Sequence, residues 1–439
     1  MHDENRHPLL CDARAHLSRR NLLTAAGGSL FLGPLAARLA ANEASKRSDP
    51  SRPKSVIVLW LEGGPSQLET FDPHPGGKYG GSVKSITTSA PGIEIADTLP
   101  QLAGQMHQAA VLRSVTGKEG DHERAVYNIK TGYRPDPTLI HPSLGAIVCH
   151  DSDLGADIPR HVSILPGNSP ARGGYLGAKY DAFKIGDPAN PVPDVAPRVA
   201  QDRYDNRIDD LLKIAEAKFT RRRLLNSDAQ RTLHAVTTQR ALAMMTSDQL
   251  AAFEVTREPV GVREPFGDTP FGRGCLAAIR LIDVGVRCVE VTLGGWDSHI
   301  NNHSLQAAGC QTLDAAAASL LKLLEERDLL KTTLVVIGGE FGRTPKINPA
   351  EGRDHWPHGF SMVLAGCGIR AGVVHGATAR GAEIDVEHPE QSVQDPVTVA
   401  DVHATMLKAV GIDHSVQLQT PIGRPMTISE GTPIQSVLS

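Results

Sequence analysis

Thr332-Thr-Leu-Val-Val-Ile-Gly-Gly-Glu-Phe-Gly-Arg-Thr-Pro345 begins as an apolar, β-branched run and ends in glycines and proline. Such a run, short and closed by Gly-Gly, predicts a buried strand over 332–337. Glu340 then stands just past the strand's C-terminal end, the edge of an open α/β sheet where ligands bind. The chain continues into Glu351-Gly-Arg-Asp-His-Trp-Pro-His358. Glu340, Arg343, Asp354, His355 and His358 therefore fall close together. Two imidazoles and two carboxylates on a glycine-rich loop suit a divalent metal. An arginine beside them suits an anion such as phosphate or sulfate.

The pattern of an acid directly after an apolar strand occurs twice more. Ser55-Val-Ile-Val-Leu-Trp-Leu61 runs into Glu62-Gly-Gly-Pro-Ser-Gln67, which makes Glu62 a ligand candidate or an ordinary loop carboxylate. Val286-Arg-Cys-Val-Glu-Val-Thr-Leu293 runs into Gly294-Gly-Trp-Asp-Ser-His299. Asp297 and His299 are two apart and project to the same side of an extended loop. One such loop is more often structural; three on one sheet edge point to a shared site. Further strands are expected over 110–115, 161–165 and 360–365. Helices are expected over 99–108, 273–285, 304–327 and 398–410. Gly120-Asp-His122 opens another helix, whose free N–H groups attract anions, unless Asp121 merely caps it. The charged stretch 201–254, with Leu211, Leu212 and Ile214 at helical spacing, reads as part of a mostly helical insertion over 187–265.

A chain of 439 residues accommodates one large domain with an insertion. Its net charge of −4 leaves no basic footprint for nucleic acid. Sparse aromatics argue against base stacking or a broad carbohydrate-stacking surface. The six cysteines show no CxxC spacing, which excludes a zinc knuckle and reads as small core residues. At the N-terminus, Ser18-Arg-Arg-Asn-Leu-Leu23 precedes a mildly apolar segment rich in Ala, Gly and Leu. It reads as a twin-arginine export signal, with an amphipathic N-terminal helix as the alternative. The segment is too weakly apolar for a stable membrane span. Residues 1–53 are thus expected to be signal and linker, and 54–439 an exported domain, periplasmic or extracellular. Loss of a leader containing Cys11 would leave an odd cysteine count, which argues against a full disulfide framework.

The order of these motifs resembles the twin-arginine-exported family of unknown function numbered 1501, grouped with the alkaline phosphatase and sulfatase superfamily. The resemblance is carried by Leu61-Glu-Gly-Gly-Pro-Ser66, Phe71-Asp-Pro73, Lys130-Thr-Gly-Tyr-Arg-Pro135 and His141-Pro-Ser143. It is carried further by Gly294-Gly-Trp-Asp-Ser-His299, Gly339-Glu-Phe-Gly-Arg-Thr-Pro345 and Gly352-Arg-Asp-His-Trp356. It implies a three-layer α/β sandwich with a mixed, mainly parallel central sheet, and up to two divalent metals at the strand ends. Glu62, Asp297, His299, Glu340 and His355, with Asp354 or His358, fall where that superfamily places metal ligands. In its phosphatases and sulfatases a Ser, Thr or modified Cys lies nine residues before the Thr of a Thr-Gly pair. Here the pair is Thr131-Gly132 and that position is His122.

These readings imply an exported metal-dependent hydrolase of phosphate or sulfate esters, with metal-activated water and no Ser or Cys nucleophile. Its substrate would be a small anionic ester or a sulfated or phosphorylated glycan. Arg343 would contact the anion, and His122 would act as nucleophile, acid/base or further ligand. The histidines favour zinc; calcium, magnesium or manganese are alternatives. A non-catalytic exported member that binds a metal or a glycan is the other reading, and a transferase or mutase a third.

Overall fold

The computed structural model describes residues 54–152, 156–222, 233–380 and 388–439. The expected export segment and Cys11 lie outside the described residues. Among the described residues, nine strands form one sheet. They are β1 (Ser55–Leu61), β2 (Ala109–Thr116), β3 (His161–Ile164), β4 (Phe183–Ile185), β5 (Cys288–Leu293), β6 (Thr333–Gly338), β7 (Phe360–Gly366), β8 (Val373–His375) and β9 (Val397–Thr398). The order is β8-β2-β7-β6-β1-β5-β3-β4, with β9 also on β2. β1 pairs in parallel with β5 and with β6, so that Leu59 lies opposite both Val291 and Ile337. Of the nine strands only β7 runs against its neighbours. The sheet is therefore mixed and mainly parallel, as expected.

Parallel strands covered on both faces need apolar residues at consecutive positions, which is why β1 and β6 are unbroken apolar runs. Their period-two alternation feeds two cores. Ile57, Leu59, Val291, Val335 and Ile337 face one core, shared with α5 (Pro270–Asp283) and α6 (Asn302–Glu326). Val56, Trp60, Leu334, Val336 and Met362 face the other, with α1 (His122–Thr131), α2 (Leu144–Asp151) and α7 (Val399–Ala409). This is the three-layer sandwich.

Local chemistry sets the helix starts. Asp121 caps α1 by accepting from Arg124 N at 3.1 Å, and Gly132 ends it in the left-handed region. Thr269 caps α5, whose first helical residue, Pro270, lies three residues ahead of the expected start. Stretch 99–108 is not one helix but a turn, Pro100–Ala103, followed by a 3₁₀ turn, Met106–Gln108. Within 187–265, α3 (Gln201–Arg222) and α4 (Leu233–Thr246) precede a run of 3₁₀ turns. The Leu211 and Ile214 stripe is not covered: these side chains are exposed among the described residues. Cys149, Cys275, Cys288, Cys310 and Cys367 are buried free thiols. No helix among the described residues is long and apolar enough to cross a membrane.

Candidate metal centre

Two strand ends, one helix start and a short ladder converge. The loop after β5 carries Asp297 and His299, the loop after β6 carries Glu340, and α1 begins at His122. A two-residue ladder, Gly342–Arg343 against His355–Trp356, brings His355 opposite Arg343. Phe341, fully buried, lies 4.9 Å from the His122 ring and 4.5 Å from the His355 ring, centroid to centroid, and forms their floor.

Each imidazole has its Nδ1 committed. His122 Nδ1 donates to Glu340 Oε1 at 2.7 Å, an oxygen that also accepts from Gly63 N at 2.9 Å. His299 Nδ1 donates to Asp354 Oδ1 at 2.8 Å, which also accepts from Asn348 at 3.3 Å. His355 Nδ1 donates to the Gly120 carbonyl at 2.8 Å. In the neutral rings this tautomer leaves a lone pair on every Nε2. Those lone pairs point together. His299 Nε2 and His355 Nε2 are 3.0 Å apart. Asp297 Oδ1 is 3.3 Å from the first and 3.4 Å from the second, and its Oδ2 is 3.5 Å from His122 Nε2.

Electrostatics follow from these contacts. The hydrogen bond to Glu340 raises the pKa of His122 above the usual histidine value, against the opposing effect of burial. Burial lowers that of His355. Burial also opposes the charge on Asp297, but the Arg343 guanidinium outweighs it and holds the carboxyl below its ordinary range. The hydrogen bond from His299 lowers Asp354.

This donor set fits a divalent ion. Donors about 2.0–2.1 Å from one tetrahedral zinc lie about 3.3 Å from each other, close to the spacings observed here. Ligating histidines characteristically donate their other ring N–H to a carboxylate or carbonyl, as all three do. His122 Nε2 is buried and has no hydrogen-bond partner among the described residues. Ligand atoms of His122, Asp297 and His355 all lie within 4.8 Å of one another. His299 joins through His355 and Asp297.

The expected site residues separate by position. Asp297, His299 and His355 present ligand atoms to the centre, and so does His122. Glu340, 2% exposed, gives Oε1 to His122 and Gly63, while its Oε2 has no partner. Asp354 reaches the centre through His299. Glu62 lies at the neighbouring strand end, where its Oε1 accepts from Asn168 N at 2.9 Å and its carbonyl accepts from Trp296 N. No hydrogen bond joins its carboxylate to the imidazoles. His358 is half-buried ahead of β7 and shares no hydrogen bond with the group.

Arg343 departs from its expected place as an anion contact. Its guanidinium is fully buried and donates to the carbonyls of Gly63, Gly64 and Arg353 and to Asp297 Oδ1 at 2.6 Å. With those acceptors taken and no exposed surface, it holds the strand-end loops together instead of facing an anion. A second buried arginine does similar work. Arg353 donates to Glu69 and to the Thr344, Pro345 and Tyr79 carbonyls, and so fixes the segment that carries Asp354 and His355. Neither Glu69 nor Asn348 stands out in the sequence as a supporting residue. Asn348-Pro349 is an Asx-turn signal, and Asn348 indeed accepts from Ala350 N and Gly352 N.

The family model described as "Protein of unknown function (DUF1501)" matches residues 53–438. The chain belongs to this family. No curated protein matches this DUF1501 chain. Among solved structures it is similar to the C-terminal periplasmic domain of EcEptC from Escherichia coli in complex with Zn, at 12% identity and TM-score 0.38, over 89% of this chain and 92% of that one. It is similar to the PsFucS1 sulfatase from Pseudoalteromonas sp., at 12% identity and TM-score 0.37, over 86% of this chain and 72% of that one. It is also similar to the lipoteichoic acid synthase LtaP from Listeria monocytogenes, at 10% identity and TM-score 0.37, over 92% of this chain and 82% of that one. In this DUF1501 member, the Gly339–Pro345 and Gly352–Trp356 motifs carry Glu340, Arg343, Asp354 and His355, and the loop after β5 carries Asp297 and His299.

Proposed function

We propose that this DUF1501 protein is an exported metal-dependent hydrolase of phosphate or sulfate esters. One observation carries the reading: the His122 and His355 imidazoles and the Asp297 carboxylate gather within 4.8 Å at the C-terminal edge of a mainly parallel sheet, with His299 Nε2 3.0 Å from that of His355 and each ring oriented from behind. His122, Asp297, His299 and His355 would hold the ion, zinc by the chemistry of the donors. A divalent ion there supplies Lewis acidity toward the ester oxygens and acidifies water. Glu340 keeps the His122 proton on Nδ1 and its Nε2 free for the ion. Asp354 does the same for His299. Buried Arg343 keeps Asp297 anionic. Asp297 and His299, 47% and 44% exposed in their side chains, leave the centre open on one side to a substrate.

The alternative is a non-catalytic exported member that binds a metal or a glycan. His122 favours it, since Nδ1 on Glu340 and Nε2 at the centre leave neither nitrogen to attack an ester. The test is metal analysis of the folded chain, followed by a screen of aryl phosphate and aryl sulfate esters with and without His355→Ala. Turnover that needs both stoichiometric metal and His355 supports the hydrolase. Stoichiometric metal with no turnover of either ester supports the alternative, and a chain that takes up no metal sinks the hydrolase and leaves the alternative only as a glycan binder.

A further inference from the structure

Lys130 and Glu290 form an ion pair inside the molecule. Lys130 Nζ donates to Glu290 Oε1 at 2.8 Å, and the two side chains are 11% and 5% exposed. Glu290 stands in the middle of β5, between Val289 and Val291, both fully buried. A carboxylate there is costly to desolvate, and apolar residues of similar volume often pack as well or better. Packing alone therefore does not account for the pair.

The ammonium has further partners. It donates to the Ser169 carbonyl, also at 2.8 Å, and lies 4.9 Å from the centre of the Trp60 ring, whose face attracts a cation. Ser163 Oγ on β3 donates to the same Glu290 oxygen at 3.4 Å. Lys130 thus ties the last turn of α1 to β5, to β1 through Trp60, and to the segment in which Asn168 N–H holds Glu62. Among the described residues it forms no hydrogen bond or ion pair with the side chains of the metal centre.

α1 and β5 meet a second time. α1 begins at His122, the loop after β5 carries Asp297, and His122 Nε2 lies 3.5 Å from Asp297 Oδ2. His122 and Lys130 stand near opposite ends of α1, about 12 Å apart along its axis. The two contacts are the upper and lower rungs between the helix and the strand with its loop. Val126 and Ile129 hold α1 in the core between them, but apolar burial is non-directional and tolerates a slide along the axis. A hydrogen bond of normal length does not, since a slide of about 1 Å breaks it.

We infer that the Lys130–Glu290 pair positions the metal centre: it sets the height of α1 on β5 and so the place of His122 beside Asp297. Lys130 and Glu290 are positioning residues, not ligands. The consequence for the ion rests on the metal-dependent reading; the placement of His122 does not.

Lys130→Met alone would strand a buried carboxylate, so the test replaces both ends, in the full chain. Lys130→Met with Glu290→Met should unfold in urea at the parent midpoint or above. Its zinc Kd, measured by competition with a chelating dye, should nevertheless rise about tenfold, as on loss of a group that orients a ligand. In a His122→Ala background the same double change should leave zinc affinity unaltered, because His122 is the ligand that α1 carries. A second readout needs no metal. With histidine-selective isotope labelling, the Nδ1 proton that His122 gives to Glu340 is followed by NMR and assigned by its loss in His122→Ala. It should weaken or vanish in the double variant. An urea midpoint below the parent's would make the pair a fold element and overturn the proposal. With a parent chain that binds zinc, an unchanged Kd, or an equal rise in both backgrounds, overturns the positioning and spares the hydrolase. With a parent chain that takes up no zinc, the hydrolase falls and the proton decides: its loss in the double variant upholds the positioning, and its persistence overturns it.

Discussion

His299 and His355 turn their Nε2 atoms toward each other at 3.0 Å, although each ring has already committed Nδ1 as a donor. Two neutral rings so placed meet lone pair to lone pair, a contact that a shared metal ion relieves, as does a proton on one of the two Nε2 atoms. Zinc should therefore stabilise the fold. At a free concentration a hundredfold above Kd the gain is about 3 kcal/mol, visible as a higher Tm that a chelator reverses. A Tm indifferent to both zinc and chelator would remove the metal from the account.

Glu340 acts on the centre through His122. Glu340→Gln keeps the acceptor for Gly63 N but weakens the orienting bond to His122 Nδ1. Zinc affinity should fall about 10- to 100-fold, measured by competition with a chelating dye. Unchanged affinity would mean that His122 is not a ligand or needs no orientation.

Arg343 gives opposite forecasts for its two roles. As a buried strut it serves three carbonyls and Asp297, which a lysine cannot match in geometry. Arg343→Lys should cost about 3–5 kcal/mol, in the range for breaking a buried ionic network, seen in urea unfolding. An anion-contacting arginine would instead yield a stable variant with a raised KM.

Gly63 sits at φ +117°, and a Cβ there would lie 2.5 Å from the backbone N of Asp297. Both the backbone conformation and the clash count against any side chain. Gly63→Ala should lose about 2–4 kcal/mol. Gly76, at φ +72° with open space around its Cβ position, is the control; Gly76→Ala should lose only about 1 kcal/mol. Equal losses in the two variants would refute the close approach of the loops.

His403 is fully buried on α7, neither ring nitrogen has a partner among the described residues, and burial pushes its pKa down to about 4. The unfolded chain takes up the proton near pH 6.5 and the folded chain only near 4. Stability is therefore intact above about 6.5 and is lost as pH falls toward 4, by about 3 kcal/mol in total. His403→Leu should flatten this slope in pH-dependent unfolding. A slope identical to that of the parent chain would place the acid sensitivity elsewhere.

The fold was legible wherever burial on both faces forces an unbroken apolar run, as at Ser55–Leu61 and Thr333–Gly338. Acids placed directly after such runs marked the sheet edge, because strand direction alone puts them there. The division of labour among them was hidden. His122 and Glu340 are 218 residues apart, and no local pattern shows that one carboxylate will turn its oxygen to that ring. Arg343 misled because arginines are almost never fully buried; its burial depends on three carbonyls gathered from two loops distant in sequence. Leu211 and Ile214 misled in the other direction, since helical spacing shows a stripe but not what covers it.

The position of β1 sets an order on assembly. The first strand of the described domain lies between β5 and β6, which are made more than two hundred residues later. Until the ribosome has passed Leu293, Ser55–Leu61 has both edges bare, and one edge stays bare until Gly338, a template for wrong pairing. Contacts this distant in sequence close slowly. Closing the sheet's middle brings the loops that carry Asp297 and Glu340 to one edge, so the candidate centre is complete only after the earliest strand has found its latest partners.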